Sequence, residues 1–99
     1  MKETLRKTTN FDVTYFNELT FTEANGFGLC KQAIVEYPNG YGASVIIGDP
    51  SYGGHIGLYE IAVLDKDGHL TYDTPITDDV IGYLTEADVS EILVKIKNL

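Results

Sequence analysis

Basic side chains are scarce in the interior of this sequence: between residues 8 and 94 only Lys31 and Lys66 carry positive charge. Lys2, Arg6, Lys7, Lys95 and Lys97 all lie near the two ends. Without a cationic stripe to displace counterions from phosphates, direct nucleic-acid binding is disfavoured. Cysteine is equally scarce. Cys30 is the only one, so no intramolecular disulfide can form, which fits a reducing compartment. With two histidines, His55 and His69, it offers no metal-ligand spacing. Apolar runs stay far below the roughly 18 residues that a spanning helix needs. The basic start, Met1-Lys2-Glu3-Thr4-Leu5-Arg6-Lys7, leads into no apolar stretch. No signal peptide is expected, and the expected location is the cytoplasm of a host cell.

What the sequence does have is acid. Residues 8 to 94 hold fourteen of its fifteen carboxylates against two lysines, a net charge of −12, while the whole chain carries −8. Such a surface repels nucleic acid and anionic membranes and attracts basic partners. Ninety-nine residues with 43% hydrophobic content match one globular domain spanning 1–99, with residues 1–10 expected as a loosely ordered lead-in.

Alternation of Phe11, Val13 and Tyr15, and again of Leu19 and Phe21, reads as strand, with a bend at Phe16-Asn17-Glu18. Asn25-Gly26 is a hairpin dipeptide. From Leu29 to Tyr37, Leu29, Ala33, Val35 and Tyr37 fall on one face and Cys30, Gln32, Ile34 and Glu36 on the other. Pro38-Asn39-Gly40 turns the chain into a returning strand over 41–47, in which Gly42 marks a bulge or a close backbone approach. Leu58 to Leu64 is a nearly continuous apolar strand. Asp65-Lys66-Asp67-Gly68 fits a type I turn followed by a left-handed glycine, with His69 to Asp73 returning as the second strand. Residues 76–84 form a connection with room for a short strand or a helical turn.

Thr85 reads as a helix N-cap with Asp88 in the capping-box position. Val89, Ile92, Leu93 and Ile96 then recur at i, i+3, i+4 and i+7, one apolar stripe on a helix of about three turns. Glu86 and Asp88 near its start and Lys95 and Lys97 near its end suit the helix dipole. The expected fold is therefore α+β: an antiparallel β-meander of about five strands with a C-terminal amphipathic helix packed on one face.

Three chemical motifs are weak. The glycine-rich stretch from Gly48 to Gly57 precedes a strand rather than a helix, lacks a lysine and holds Asp49, so it does not suit phosphate. Asp65 to Gly68 lacks the further oxygen ligands and flanking helices of a calcium loop. Nothing sets Cys30 beside His55 or His69 as a nucleophile and base. No enzyme activity, metal or cofactor is expected. The carboxylates Asp65, Asp67, Asp73, Asp78, Asp79, Glu86, Asp88 and Glu91 recur densely, and seven tyrosines add interface-type side chains.

The stretches at residues 37–42 (YPNGYG) and 72–84 (YDTPITDDVIGYL) resemble segments of small acidic phage and mobile-element proteins of unassigned function. That resemblance implies a contextual role. Such proteins include inhibitors of host nucleases of the anti-CRISPR and anti-restriction type, some of them nucleic-acid mimics. The expected partner is thus a basic host protein, a nuclease or other nucleic-acid-binding protein, met by Asp65, Asp67, Asp73, Asp78 and Asp79 with Tyr72 and Tyr83 as anchors. The alternative is a phage structural or assembly protein that self-associates as a homo-oligomer through a sheet edge or loops.

Overall fold

In the computed structural model, which describes residues 10–23, 30–48, 57–71, 74 and 80–99, three strands make the centre of one sheet. In chain order the elements are β1 (Asn10–Phe11), a 3-10 turn (Phe16–Glu18), β2 (Thr22–Glu23), β3 (Cys30–Glu36), β4 (Gly42–Gly48), β5 (Tyr59–Leu64), β6 (Ile81–Leu84) and α1 (Glu86–Lys97). The sheet order is β1-β3-β4-β5-β6, with β2 also on β3. All pairings are antiparallel except the two-residue parallel match of β1 to β3. The α+β architecture is as expected; the parallel β1 makes the sheet mixed.

Pairing of Ala33 with Val45, Val35 with Ala43, Ala43 with Val63 and Val45 with Ile61 puts these side chains on one face. They are buried against Val89, Ile92, Leu93 and Ile96 of α1. Each such aliphatic side chain contributes about 1.5–3 kcal/mol of transfer free energy, which a helix of twelve residues needs because it is too short to persist alone. The cap forms as the sequence implies: Thr85 Oγ1 accepts from the Asp88 N–H, and Asp88 Oδ2 accepts from the Thr85 N–H.

The β3–β4 turn does two jobs. Gly40 takes a left-handed φ of +94°, and the Gly40 N–H donates to the Tyr37 carbonyl at 3.0 Å. Asn39 beside it donates from Nδ2 to the carbonyls of Ile96 and Lys97 at the end of α1. Gly42 is the close approach that its position in a strand suggests: a Cβ there would collide with the Val35 carbonyl oxygen.

Residues 10–20 depart from the strand that their alternation predicts. Asp12 adopts φ +57°, which breaks the extended run and leaves Phe11 and Tyr15 exposed while Val13 and Phe16 pack on the core. The ends of the loop are tied by Asn10, which is 2% exposed. Its Oδ1 accepts from the Thr20 N–H, and its Nδ2 donates to the carbonyls of Thr20 and Ile34. Asn10 is therefore docked rather than part of a loose lead-in; residues 1–9 lie outside the described residues. A compact loop with tied ends, packed by its own side chains, is an Ω-loop. It is fastened to α1 by Phe16 N–H donating to Ser90 Oγ at 2.7 Å and by Lys97 Nζ, 3.1 Å from Asp12 and 3.2 Å from Thr14 Oγ1. Buried Tyr37 donates its hydroxyl to the Val13 carbonyl. Burial, with the charges of Asp12 and Glu18, pushes that hydroxyl far above the usual tyrosine range.

Beyond the turn at the end of β5 the chain begins the expected return: the Asp65 N–H donates to the His69 carbonyl, Leu70 bridges antiparallel to Leu64 and the Thr71 N–H donates to the Val63 carbonyl, while residues 72 and 73 lie outside the described residues. The regular partner at the other half of β5 is β6, which pairs Leu84 with Tyr59 and Ile81 with Ile61. Gly82 and Tyr83 together oppose Glu60, so β6 carries a bulge, and Tyr83 takes a left-handed φ of +59°. Bulges bend and twist a strand, which makes such an edge a poor template for another chain. Among the described residues, no helix is long and apolar enough to cross a membrane.

Candidate functional site

The acidic groups that lie close in sequence are divided between two ends of the sheet. Asp65 and Asp67 follow Leu64 at one end of β5, whereas Glu86 and Asp88 follow Leu84, which pairs with Tyr59 at the other end. Six strand residues at about 3.3 Å each place the two groups on the order of 20 Å apart.

At the first end the Asp65 carboxylate is committed to its own turn. Its Oδ1 accepts from the Asp67 N–H at 2.9 Å and the His69 N–H at 3.0 Å, while Gly68 turns the chain with φ +80°. The His69 N–H is the main cause of a carboxyl held below the usual aspartate value, helped by the Asp67 N–H. Asp67 is exposed. Asn39, Gly40, Tyr41, Asp65 and Lys66 line one shallow depression here. Asn39 also brings the end of α1, with Lys97, to this side, so the local charge is of mixed sign.

The second end is purely acidic among the described ionisable groups of α1's first turn, Glu86 and Asp88. The Thr85 backbone and side chain hold Asp88 low. Tyr59, on the strand below, has its hydroxyl pushed up by burial first and by the Glu86 charge second. Its ring packs edge-on against Phe16 at 4.9 Å and tilted against Phe21 at 6.0 Å, which closes the core beneath the helix entrance.

Tyr83 is 59% exposed on the β6 bulge. Tyr72, Asp73, Asp78 and Asp79 lie outside the described residues, as do His55, Asn25-Gly26 and residues 49–56 of the glycine-rich stretch. Cys30 pairs with Gly48 in the sheet, and His69 is exposed at the β5 turn. Among the described residues no three His, Cys, Asp or Glu side chains converge as a metal site.

The face of the sheet away from α1 carries a trough of about 360 Å³, floored by Ile34, Ile46, Ala62 and Leu64 and walled by Leu70 and Val80. Gln32, Ser44 and Glu60 are its polar members. Among the described residues the lining is mostly apolar, and the Ser44 hydroxyl accepts from Gln32 Nε2 at 2.8 Å. Sequence reasoning also passed over the exposed apolar side chains Phe11, Tyr15 and Val94. Their only signal was an alternation already assigned to a strand and one valine outside the helical stripe.

Comparison with known proteins returned no matching family model, no matching curated protein and no matching solved structure.

Proposed function

We propose that the protein is a non-enzymatic binding protein that inhibits a basic, nucleic-acid-handling host protein, in the manner of an anti-CRISPR or anti-restriction inhibitor. The observation that carries this reading is the charge: −12 over residues 8 to 94, on a small sheet-and-helix domain. A field of that sign speeds encounter with a basic surface and repels nucleic acid competing for it. Nucleic-acid mimicry is the narrower form of the proposal. Duplex DNA carries one charge per roughly 1.7 Å of axis, whereas the groups at Asp65–Asp67 and Glu86–Asp88 stand at opposite ends of β5. Mimicry therefore turns on Asp73, Asp78 and Asp79 supplying the charges between them.

The test is affinity capture from a host lysate, followed by activity assays on the captured protein. A basic nuclease or nucleic-acid-binding protein, inhibited in proportion to the amount of this domain added, supports the proposal. Capture of neutral partners alone, or of a nuclease whose activity is untouched, contradicts it. The alternative, an assembly protein, would instead give a concentration-dependent homo-oligomer. The bulged β6 does not favour edge pairing.

A further inference from the structure

α1 packs on one face of the sheet, and the strand register lays out the other face as a grid. Gln32, Ile46 and Glu60 form one row across β3, β4 and β5. Ile34, Ser44 and Ala62 form the next row, and Glu36, Gly42 and Leu64 the third. Side chains alternate along a strand, so these positions lie opposite Ala33, Val45 and Ile61, which meet α1. Glu36 and Glu60 stand at diagonal corners of the grid, with Ile34, Ile46, Ala62 and Leu64 between and beside them. Leu70, 51% exposed, and Val80 extend this apolar floor into the walls of the 360 Å³ trough.

The described rim of this face is acidic. Lys31 alternates onto the α1 face, and Lys95 and Lys97 belong to α1 itself. The cation near the trough is Lys66, in the turn after β5. It lines a smaller hollow with Glu36 and Asp65, and Asp67 follows it in the chain. Those three carboxylates, with Glu60, outnumber it.

An apolar strip with acid at both ends complements an amphipathic helix that carries a cation at each end of its apolar stripe. Two strand spacings and four residues of rise separate Glu36 from Glu60, roughly 16 Å. At about 1.5 Å per residue that span equals about eleven helical residues, or three turns, which returns both cations to one side of the helix. An apolar sheet face is buried by packing a further layer on it, as the twelve residues of α1 do on the opposite face. Resting on the reading of a basic partner, we infer that this face is its docking surface. The partner lays on it an amphipathic helix with basic residues three turns apart.

The test is titration of the isotopically labelled full chain with three synthetic helical peptides at low salt, followed by amide chemical shifts. All share one leucine stripe. The first has arginine at both ends of the stripe, about eleven residues apart; the second has glutamate there; the third carries its two arginines on the opposite side. Saturable shifts centred on Gln32, Ile34, Ser44, Ile46 and Ala62 are expected, with the first peptide binding about tenfold more tightly than either other. In the double variant Glu36→Gln, Glu60→Gln, which removes charge and keeps shape, that preference should vanish while the amide spectrum stays dispersed. Leu70→Ser, at an exposed position, should weaken binding of all three.

Shifts centred on Glu86 and Asp88 instead, or equal affinity for the two arginine peptides, would overturn the docking face while leaving the basic-partner reading standing. Equal affinity for the arginine and glutamate peptides, or no saturable binding of any, would overturn both. Concentration-dependent broadening of the same amides without peptide would overturn the inference by naming a second copy as the occupant.

Discussion

Asn39, at the tip of the β3–β4 hairpin, donates its side-chain amide to the carbonyl oxygens of Ile96 and Lys97 at 2.9 and 3.0 Å. The last carbonyls of a helix have no partner within it, so a residue 57 positions earlier completes α1. Its Oδ1 meanwhile accepts from the Tyr41 N–H at 2.9 Å and holds the turn. Asn39→Ala is expected to lower stability by about 1–2 kcal/mol, read as a lower urea midpoint at unchanged slope. Asn39→Asp should be worse than Ala, because it keeps the turn acceptor but sets a negative charge against the negative end of the helix.

The cap at the other end of α1 predicts an acid dependence. Thr85 holds Asp88 below the usual value of 3.8. The unfolded chain therefore binds the proton more readily than the folded one. The stabilisation is complete above the unfolded value and is lost as the pH falls through the lower, folded one. Urea midpoints measured from neutral pH downward should fall below about pH 4, and Asp88→Ala should flatten part of that slope. Asp65 and Glu18 are shifted in the same direction, so the variant should retain the remainder.

What could be read from the sequence was local and periodic. The stripe Val89, Ile92, Leu93 and Ile96, the Thr85 cap and the turns at Pro38-Asn39-Gly40 and Asp65 to Gly68 each sit in a window of a few residues whose chemistry permits one geometry. The Ω-loop was not legible, because the alternation of Phe11, Val13 and Tyr15 carries no sign that Asp12 reverses the backbone. Nor does anything near Asn10 announce that it ties Thr20 to Ile34. For β6 the sequence left room for a short strand or a helical turn within 76–84, since Gly82 weakens the strand signal and the left-handed backbone of Tyr83 leaves no mark in the residues. The candidate site suffered most, since Asp65 and Glu86 look neighbourly in sequence and only the pairing of β5 with β6 parts them.

Asn10 supplies the third prediction. Its buried amide serves three backbone groups, and Ala or Leu in its place removes those hydrogen bonds. Asn10→Ala should cost about 2 kcal/mol. Amide exchange should quicken at Thr20 and Phe16, as the loop loosens, while Val89 to Ile96 keep their protection. Equal acceleration in the helix would mean that the loop and the core unfold as one unit.

At Gly42 the constraint is space. A methyl group would meet the Val35 carbonyl, rigid backbone of the neighbouring strand, so the strands must part to admit it. Gly42→Ala is expected to destabilise by about 1–3 kcal/mol. Gly57→Ala, where no atom lies within 4 Å but φ is +82°, should show a cost of backbone strain alone.

The central claim, that acidity recruits a basic partner, is tested most directly by the association rate with the captured partner as a function of ionic strength. The screening length shrinks from about 30 Å at 0.01 M to about 8 Å at 0.15 M salt. If charge steers the encounter, the rate constant should fall about tenfold or more over that range. A rate constant that holds steady across it would contradict the account.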